Sequence, residues 1–376
     1  MHIGIDARLY RSSVAGIGRY SQNLIKNILE IDSDNQYVLF MTPEDNKEFM
    51  NSQNSGVKKN FKIIITDIPH YSLAEQTKLA KVIAAENLDL MHFLNFNFPV
   101  NYRGRFIVTI HDLTLFYYPG RTKNNFTYKL AYKYIFGQAC KKSQKIIAVS
   151  ESTKKDIVEK FNIPDSKIEV VYEAADDRNF KEPSEKTVEE VKKRYGVNDF
   201  PVVLYVGQWR HHKNIVNLVR AFDVLRKDIP ARMVLVGKVD QAYSEAKETI
   251  DKAVALRDII MPGFVSNEEL AAWYKIASVF VFPSFYEGFG LPGIEAMMAG
   301  TPVVASDRTS LPEIYQDAAV YFNPDDPKDM ADKVMRVISD KSLQEKLVCN
   351  GHRIAAALSW KKTAQETLKI YKTVIK

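Results

Sequence analysis

Two glutamates eight positions apart, Glu287 and Glu295, bracket a glycine loop, Gly288-Phe289-Gly290-Leu291-Pro292-Gly293. Carboxylates accept hydrogen bonds from hydroxyl and N–H groups. The loop between them has the opposite preference. Its glycines let backbone approach a ligand closely, and Pro292 suits the first turn of a helix whose N–H groups and dipole attract an anion. A phosphate beside polyhydroxyl groups, as in a nucleotide sugar, satisfies both. A second anion-binding pair follows Gly207. Arg210 and Lys213 stand three apart, a planar fork and a point charge suited to a diphosphate. His111 follows the run Phe106-Ile107-Val108-Thr109-Ile110, at the strand end where open α/β sheets meet substrate.

The elements that must position these residues are short apolar or β-branched runs alternating with helical patterns. In the first half the runs are His2–Arg8, Tyr37–Thr42, Phe61–Thr66, Leu90–Phe93, Phe106–His111, Lys145–Ser150 and Ile168–Glu173. In the second half they are Pro201–Gly207, Arg232–Gly237, Ile259–Met261, Val279–Pro283, Pro302–Ser306 and Ala319–Phe322. Many lack strict alternation, as parallel strands covered on both faces do. The alternation occurs twice, which predicts two doubly wound α/β domains. Polar residues 174–198 separate them, with the junction near Phe180–Glu185. The expected division is an N-terminal domain over 1–180, a C-terminal domain over 181–357, and a helix over 358–376.

The first strand-to-helix turn, Ala15-Gly16-Ile17-Gly18-Arg19-Tyr20, permits close approach of a ligand at Gly16 and Gly18, or is simply a tight turn. Ser266-Asn267-Glu268-Glu269 is a capping box opening a helix. The adjacent residues His211 and His212 do not make a metal site, because neighbours in sequence seldom converge and no third ligand is evident. Asp32-Ser33-Asp34 has a metal-binding look but sits after a helix and reads as a turn.

The sequence of 376 residues, 46% hydrophobic and 26% charged, belongs to a globular protein large enough for two cores. Its two cysteines, Cys140 and Cys349, form no CxxC and indicate neither a disulfide framework nor zinc. No run reaches the roughly 18 apolar residues of a membrane span. The start Met1-His2-Ile3-Gly4 is not a signal peptide, so a cytoplasmic location is expected. The net charge of +6 is mild, but its distribution is uneven. From Leu113 to Ser150 no acidic residue occurs, while Arg121, Lys123, Lys129, Lys133, Lys141, Lys142 and Lys145 are interleaved with aromatics. Such a segment is either a solvated lysine face or a docking surface for an anionic membrane or lipid-borne acceptor. Nucleic acid is not expected, since no recognised motif accompanies the charge.

The stretch Pro283-Ser284-Phe285-Tyr286-Glu287-Gly288-Phe289-Gly290-Leu291-Pro292-Gly293-Ile294-Glu295 resembles the signature of the retaining family 4 glycosyltransferases of the GT-B fold. The resemblance spans nearly the whole chain and is strongest from Pro201 to Phe322. It implies two Rossmann-like domains facing across a deep cleft, with acceptor on the first and nucleotide sugar on the second. It also implies retention at the anomeric carbon without a divalent metal or other cofactor. By the same resemblance Arg210, Lys213 and the 288–291 backbone hold the donor diphosphate. Glu295 holds the ribose, Glu287 and His111 the transferred sugar, and Phe264 and Val265 the base. The glycine loop at Gly16 and Gly18 faces acceptor and donor phosphate. The last helix crosses back to the first domain, anchored by Trp360. The 15–20 turn looks like that of bacterial mannosyltransferases, so GDP-mannose is the expected donor and a UDP-hexose the second choice. Glycan or lipid-linked acceptors are the family's range, and polysaccharide biosynthesis its setting.

Two rivals remain at this level. A nucleotide-sugar epimerase would share the fold. Gly288, Gly290 and Gly293 also spell G-x-G-x-x-G, with Asp307 downstream, as in dinucleotide-dependent oxidoreductases. Against the latter, four residues separate strand from first glycine, and the unit lies late in its domain.

Overall fold

The computed structural model describes residues 1–52, 60–119, 126–175, 182–238 and 243–375. The chain divides into two compact units, Met1–Phe116 with Asn125–Glu173 and Ser359–Lys376, and Tyr117–Asn124 with Ala174–Leu358. The junction region expected near Phe180–Glu185 overlaps residues 176–181, which lie outside the described residues.

The first unit is built on β1 (His2–Asp6), β2 (Gln36–Met41), β3 (Phe61–Ile65), β4 (Leu90–Phe93), β5 (Phe106–Ile110), β6 (Lys145–Ala148) and β7 (Ile168–Val170). They pair in the order β3-β2-β1-β4-β5-β6-β7, all parallel. Every residue of β4 and β5 is buried, which explains their unbroken apolar runs. The edge strand β3 instead has no fully buried residue, its positions being half-buried or exposed. Strand order reverses between β1 and β4, so this sheet has its topological switch point there.

Two helices close one side of that sheet. Ala15–Ile31 buries Tyr20, Leu24, Ile25, Ile28 and Leu29 completely. Each such aliphatic chain contributes about 1.5–3 kcal/mol relative to exposure. Trp360–Ile375 packs beside it, with the Trp360 ring edge-on to Tyr20 at 5.7 Å. Tyr371 in the same helix hydrogen-bonds His92 Nδ1 at 2.8 Å, and His92 Nε2 meets Thr109 Oγ1 at 2.9 Å. Burial, with the nearby His111 charge, holds the His92 pKa down to about 3, so this histidine is a neutral core residue.

The second unit carries β8 (Val202–Val206), β9 (Arg232–Val236), β10 (Ile259–Gly263), β11 (Val279–Phe282), β12 (Val303–Ser306) and β13 (Ala319–Phe322). Their order is β10-β9-β8-β11-β12-β13, again all parallel, with the switch point between β8 and β11. Each run read from the sequence corresponds to one strand.

Smaller expectations resolve at the same level. Ser266 Oγ accepts the Glu269 N–H at 3.2 Å and caps the Asn267–Ile276 helix. Asp32 accepts from the Asp34 N–H at 3.0 Å and from Asn35 and Tyr37, which makes it a turn residue. In the acid-free segment Arg121 and Lys123 lie outside the described residues. Lys129, Lys133, Lys141 and Lys142 of the Phe126–Lys142 helix are exposed, together with Leu130 and Tyr134. Among the described residues, no helix is long and apolar enough to cross a membrane.

Candidate functional site

The loops after β8 and β11 meet at the second unit's switch point. Lys213 Nζ lies 2.5 Å from Glu287 Oε1, with both side chains largely buried. The backbone between the strands is stitched so that this pair forms. Asn214, in the left-handed region at φ 57, donates to Pro283 O at 3.1 Å and Pro324 O at 2.8 Å. The Phe285 N–H donates to His212 O at 2.8 Å. Burial and the adjacent Lys213 and Arg210 charges keep the His212 imidazole neutral. Among the described residues, no group of side chains is arranged to hold a metal ion. Arg210 is exposed at the mouth of the same loop.

Glu287 is held from its main chain. Its N–H donates to Thr309 Oγ1 at 3.1 Å, and Ser310 Oγ donates to its carbonyl at 3.0 Å. Thr309 has φ 53, a strained position for a β-branched residue. Gly290 takes φ 102 and caps the Leu291–Met298 helix, with Pro292 in its first turn. The fully buried Tyr315 donates its hydroxyl to Gly290 O at 2.5 Å. A Cβ at Gly293 would lie 2.3 Å from that hydroxyl, and one at Gly290 2.5 Å from it. The second and third glycines of the G-x-G-x-x-G spelling are therefore there to seat Tyr315. That packing accounts for the spelling without a dinucleotide.

Glu295 points inward from the same helix and is only 5% exposed. Its Oε2 accepts from Tyr274 at 3.0 Å, which fixes the carboxylate plane. Buried Gly288 and Phe289 belong to the same loop, and Leu291 is half-buried. Phe264, just after β10, is 92% exposed, and Val265 is half-buried. The structure thus gathers Arg210, Lys213, Glu287 and the 288–291 loop around one switch point.

In the first unit, Gly16 and Gly18 separate by role. A Cβ on Gly18 would strike Arg11 O at 2.2 Å, so this glycine is required by packing, whereas Gly16 faces open space. His111 follows β5. Its Nε2–H donates to Leu94 O at 2.9 Å, and Nδ1 lies 3.0 Å from Glu173 Oε1. Burial alone would favour the neutral ring. The Glu173 hydrogen bond and charge, with the Leu94 carbonyl and Asp112, outweigh it and raise the His111 pKa above 6.5. Both nitrogens are spent within the protein, so in this conformation His111 offers no lone pair to a substrate. Asp112 accepts the Thr114 N–H at 2.7 Å and caps the next turn.

The sequence reading missed Glu173, Thr309 and Tyr315, and also a cluster at the first unit's switch point. There Arg8, fully buried, pairs with Asp6 and Glu75 at 2.8 Å each. Asn95 and Asn97, just past β4, complete it. The only signal was polar residues directly after apolar runs, in Asp6-Ala7-Arg8 and Asn95-Phe96-Asn97.

Two parallel α/β sheets of seven and six strands in one chain constitute the GT-B fold. The Anabaena protein HepE, solved with UDP and glucose, superposes with a TM-score of 0.77 at 16% identity over 99% of this chain and 100% of that one. Residues 14–179 match the profile of Glycosyltransferase Family 4, and residues 187–353 that of Glycosyl transferases group 1. The chain belongs to these glycosyltransferases. It is 28% identical over 371 residues to the O-antigen chain mannosyltransferase B of Escherichia coli, covering 96% of both chains. It is also 32% identical to the O-antigen chain mannosyltransferase RfbU of Salmonella typhimurium, over 59% of this chain and 57% of that one.

Proposed function

We propose that this glycosyltransferase moves mannose from GDP-mannose to a hydroxyl of a glycan or lipid-linked acceptor, with retention at the anomeric carbon and without a metal. Similarity to a mannosyltransferase along nearly its whole length carries the choice of sugar. In this reading the second unit binds donor and the first binds acceptor. The donor diphosphate takes its place beside Arg210, Lys213 and the N-terminus of the Leu291–Met298 helix. Lys213 then shares its charge between phosphate and Glu287. Glu287, released in part, accepts from a hydroxyl of the transferred sugar, while Glu295, oriented by Tyr274, accepts from the ribose. Phe264 offers an exposed ring to the base. The acceptor oxygen bonds to the anomeric carbon on the face that the phosphate leaves. Its proton goes to the departing phosphate oxygen. Charge growing on the diphosphate is the quantity the protein stabilises. His111, with both ring nitrogens hydrogen-bonded inside the first unit, is held in place and not offered as a base.

A UDP-hexose donor is the second reading, favoured by the UDP and glucose in the HepE structure. Incubation with GDP-mannose and UDP-glucose, following nucleotide release and the anomeric proton by NMR, separates the two. GDP release, an α-linked product and activity in EDTA are expected. UDP release alone, an inverted product or a strict Mg²⁺ requirement would each overturn the corresponding part. Replacing both Arg210 and Lys213 by Ala should cut turnover by at least about a hundredfold. The exposed lysines, Leu130 and Tyr134 of Phe126–Lys142 fit docking on the cytoplasmic face of an anionic membrane. Binding to anionic vesicles that does not weaken with salt would count against it.

A further inference from the structure

The cluster at the first unit's switch point is wired around one histidine. His70 lies on the loop that leaves β3 and reaches over to the residues after β4. Its Nδ1 is 2.5 Å from Asn97 Nδ2 and 3.5 Å from Glu75 Oε1, so the amide is its nearer partner. The orientation of that amide is not free. Asn97 Nδ2 also donates to Glu75 Oε1 at 2.9 Å, and Asn97 Oδ1 accepts from Asn95 Nδ2 at 2.8 Å. Flipping it would set oxygen against carboxylate and nitrogen against nitrogen. Glu75 is in turn fixed by Arg8 at 2.8 Å. Asn97 therefore donates to Nδ1, and the proton of the neutral ring sits on Nε2. Nε2 has no hydrogen-bond partner among the described residues, and the side chain is 10% exposed. Four side chains fix the direction of a donor that the protein itself does not use.

Nε2 is closed to solvent in this conformation, but its loop is not relaxed. Tyr71, the next residue, has φ 57 and is 49% exposed, and Leu73 is 82% exposed. We propose that His70 is an acceptor-positioning residue. A neutral sugar docks against Tyr71, the strained loop shifts, and the Nε2–H donates to a sugar hydroxyl oxygen. Charge selects sugar over phosphate, because Asp6 and Glu75 stand against the single guanidinium of Arg8. The place is that where parallel α/β sheets bind ligands, outside the carboxyl ends of the strands flanking the order reversal. This inference rests on the reading that the first unit binds the acceptor.

The test uses the full chain with ¹⁵N-labelled histidine, His70 being assigned by the signal lost in His70→Gln. A neutral Nε2–H tautomer is expected, shifted by methyl α-D-mannopyranoside and not by inorganic phosphate. With p-nitrophenyl α-D-mannopyranoside as acceptor, His70→Asn should raise the acceptor KM roughly tenfold, the worth of one hydrogen bond. His70→Gln, whose amide reaches the Nε2 position, should restore it. Acceptor-free hydrolysis of GDP-mannose should be unchanged in both. An Nδ1–H tautomer, a response to phosphate alone, or an unchanged acceptor KM in His70→Asn overturns the proposal. So does loss of hydrolysis and thermal stability together with KM, which marks a purely structural histidine. A wild-type enzyme that neither transfers mannose from GDP-mannose nor hydrolyses it overturns the donor reading instead, and the NMR response then decides on His70.

Discussion

Single residues in this protein act through what holds them. His111 stands where a substrate-facing histidine was expected, yet Leu94 O and Glu173 take both its nitrogens. The consequence is a linkage with a definite sign. Its folded pKa lies above the ordinary 6.5, so its charge stabilises the fold fully below that value. The contribution fades as pH rises through the raised pKa. Glu173→Gln removes the carboxylate responsible. The melting-temperature gap between wild type and Glu173→Gln should therefore be widest in mild acid and narrow on the alkaline side of 6.5. A gap that stays flat through that range would mean the pair carries no linked proton.

At the level of elements, the glycine loop and the following helix behave as one packed body with Tyr315 at its centre. Gly293→Ala puts a methyl where the Tyr315 ring lies, and overpacking of this kind costs about 1–3 kcal/mol. Tyr315→Ala opens that space. In the double mutant the cost of the methyl should largely vanish, so a double-mutant cycle by denaturant unfolding should show strong coupling. Additive effects would remove Tyr315 as the reason for the glycine. This is also where legibility from sequence ends. The strands could be read because burial on both faces leaves uninterrupted apolar runs, and Arg210, Lys213 and Glu287 could be read because charge beside glycine is conspicuous. Tyr315 and Thr309 could not. Their contacts with the 287–293 loop join segments separated in sequence, and nothing in a lone tyrosine or threonine marks the partner. The same holds for Glu173 and His111, 62 positions apart.

Taken whole, the chain does not run through one unit and then the other. Its last eighteen residues, Ser359–Lys376, are part of the unit that its first residues begin. Tyr371 reaches His92 across 279 positions, and Thr363 donates to Tyr172 O at 2.7 Å across 191. A ribosome makes the chain in one direction, so the first sheet emerges long before the helix that closes it. Contacts so distant in sequence form late. Through that interval the nascent protein presents the side of Tyr20 and His92 uncovered, while everything needed for the second sheet is still arriving. The unit begun first is thus finished last. A released chain truncated after Leu358 should yield its first 173 residues to protease while residues 182–358 resist. Adding the 359–376 peptide should slow the digestion. Equal resistance of both parts in the truncated chain would show that the first sheet closes without waiting for its final helix.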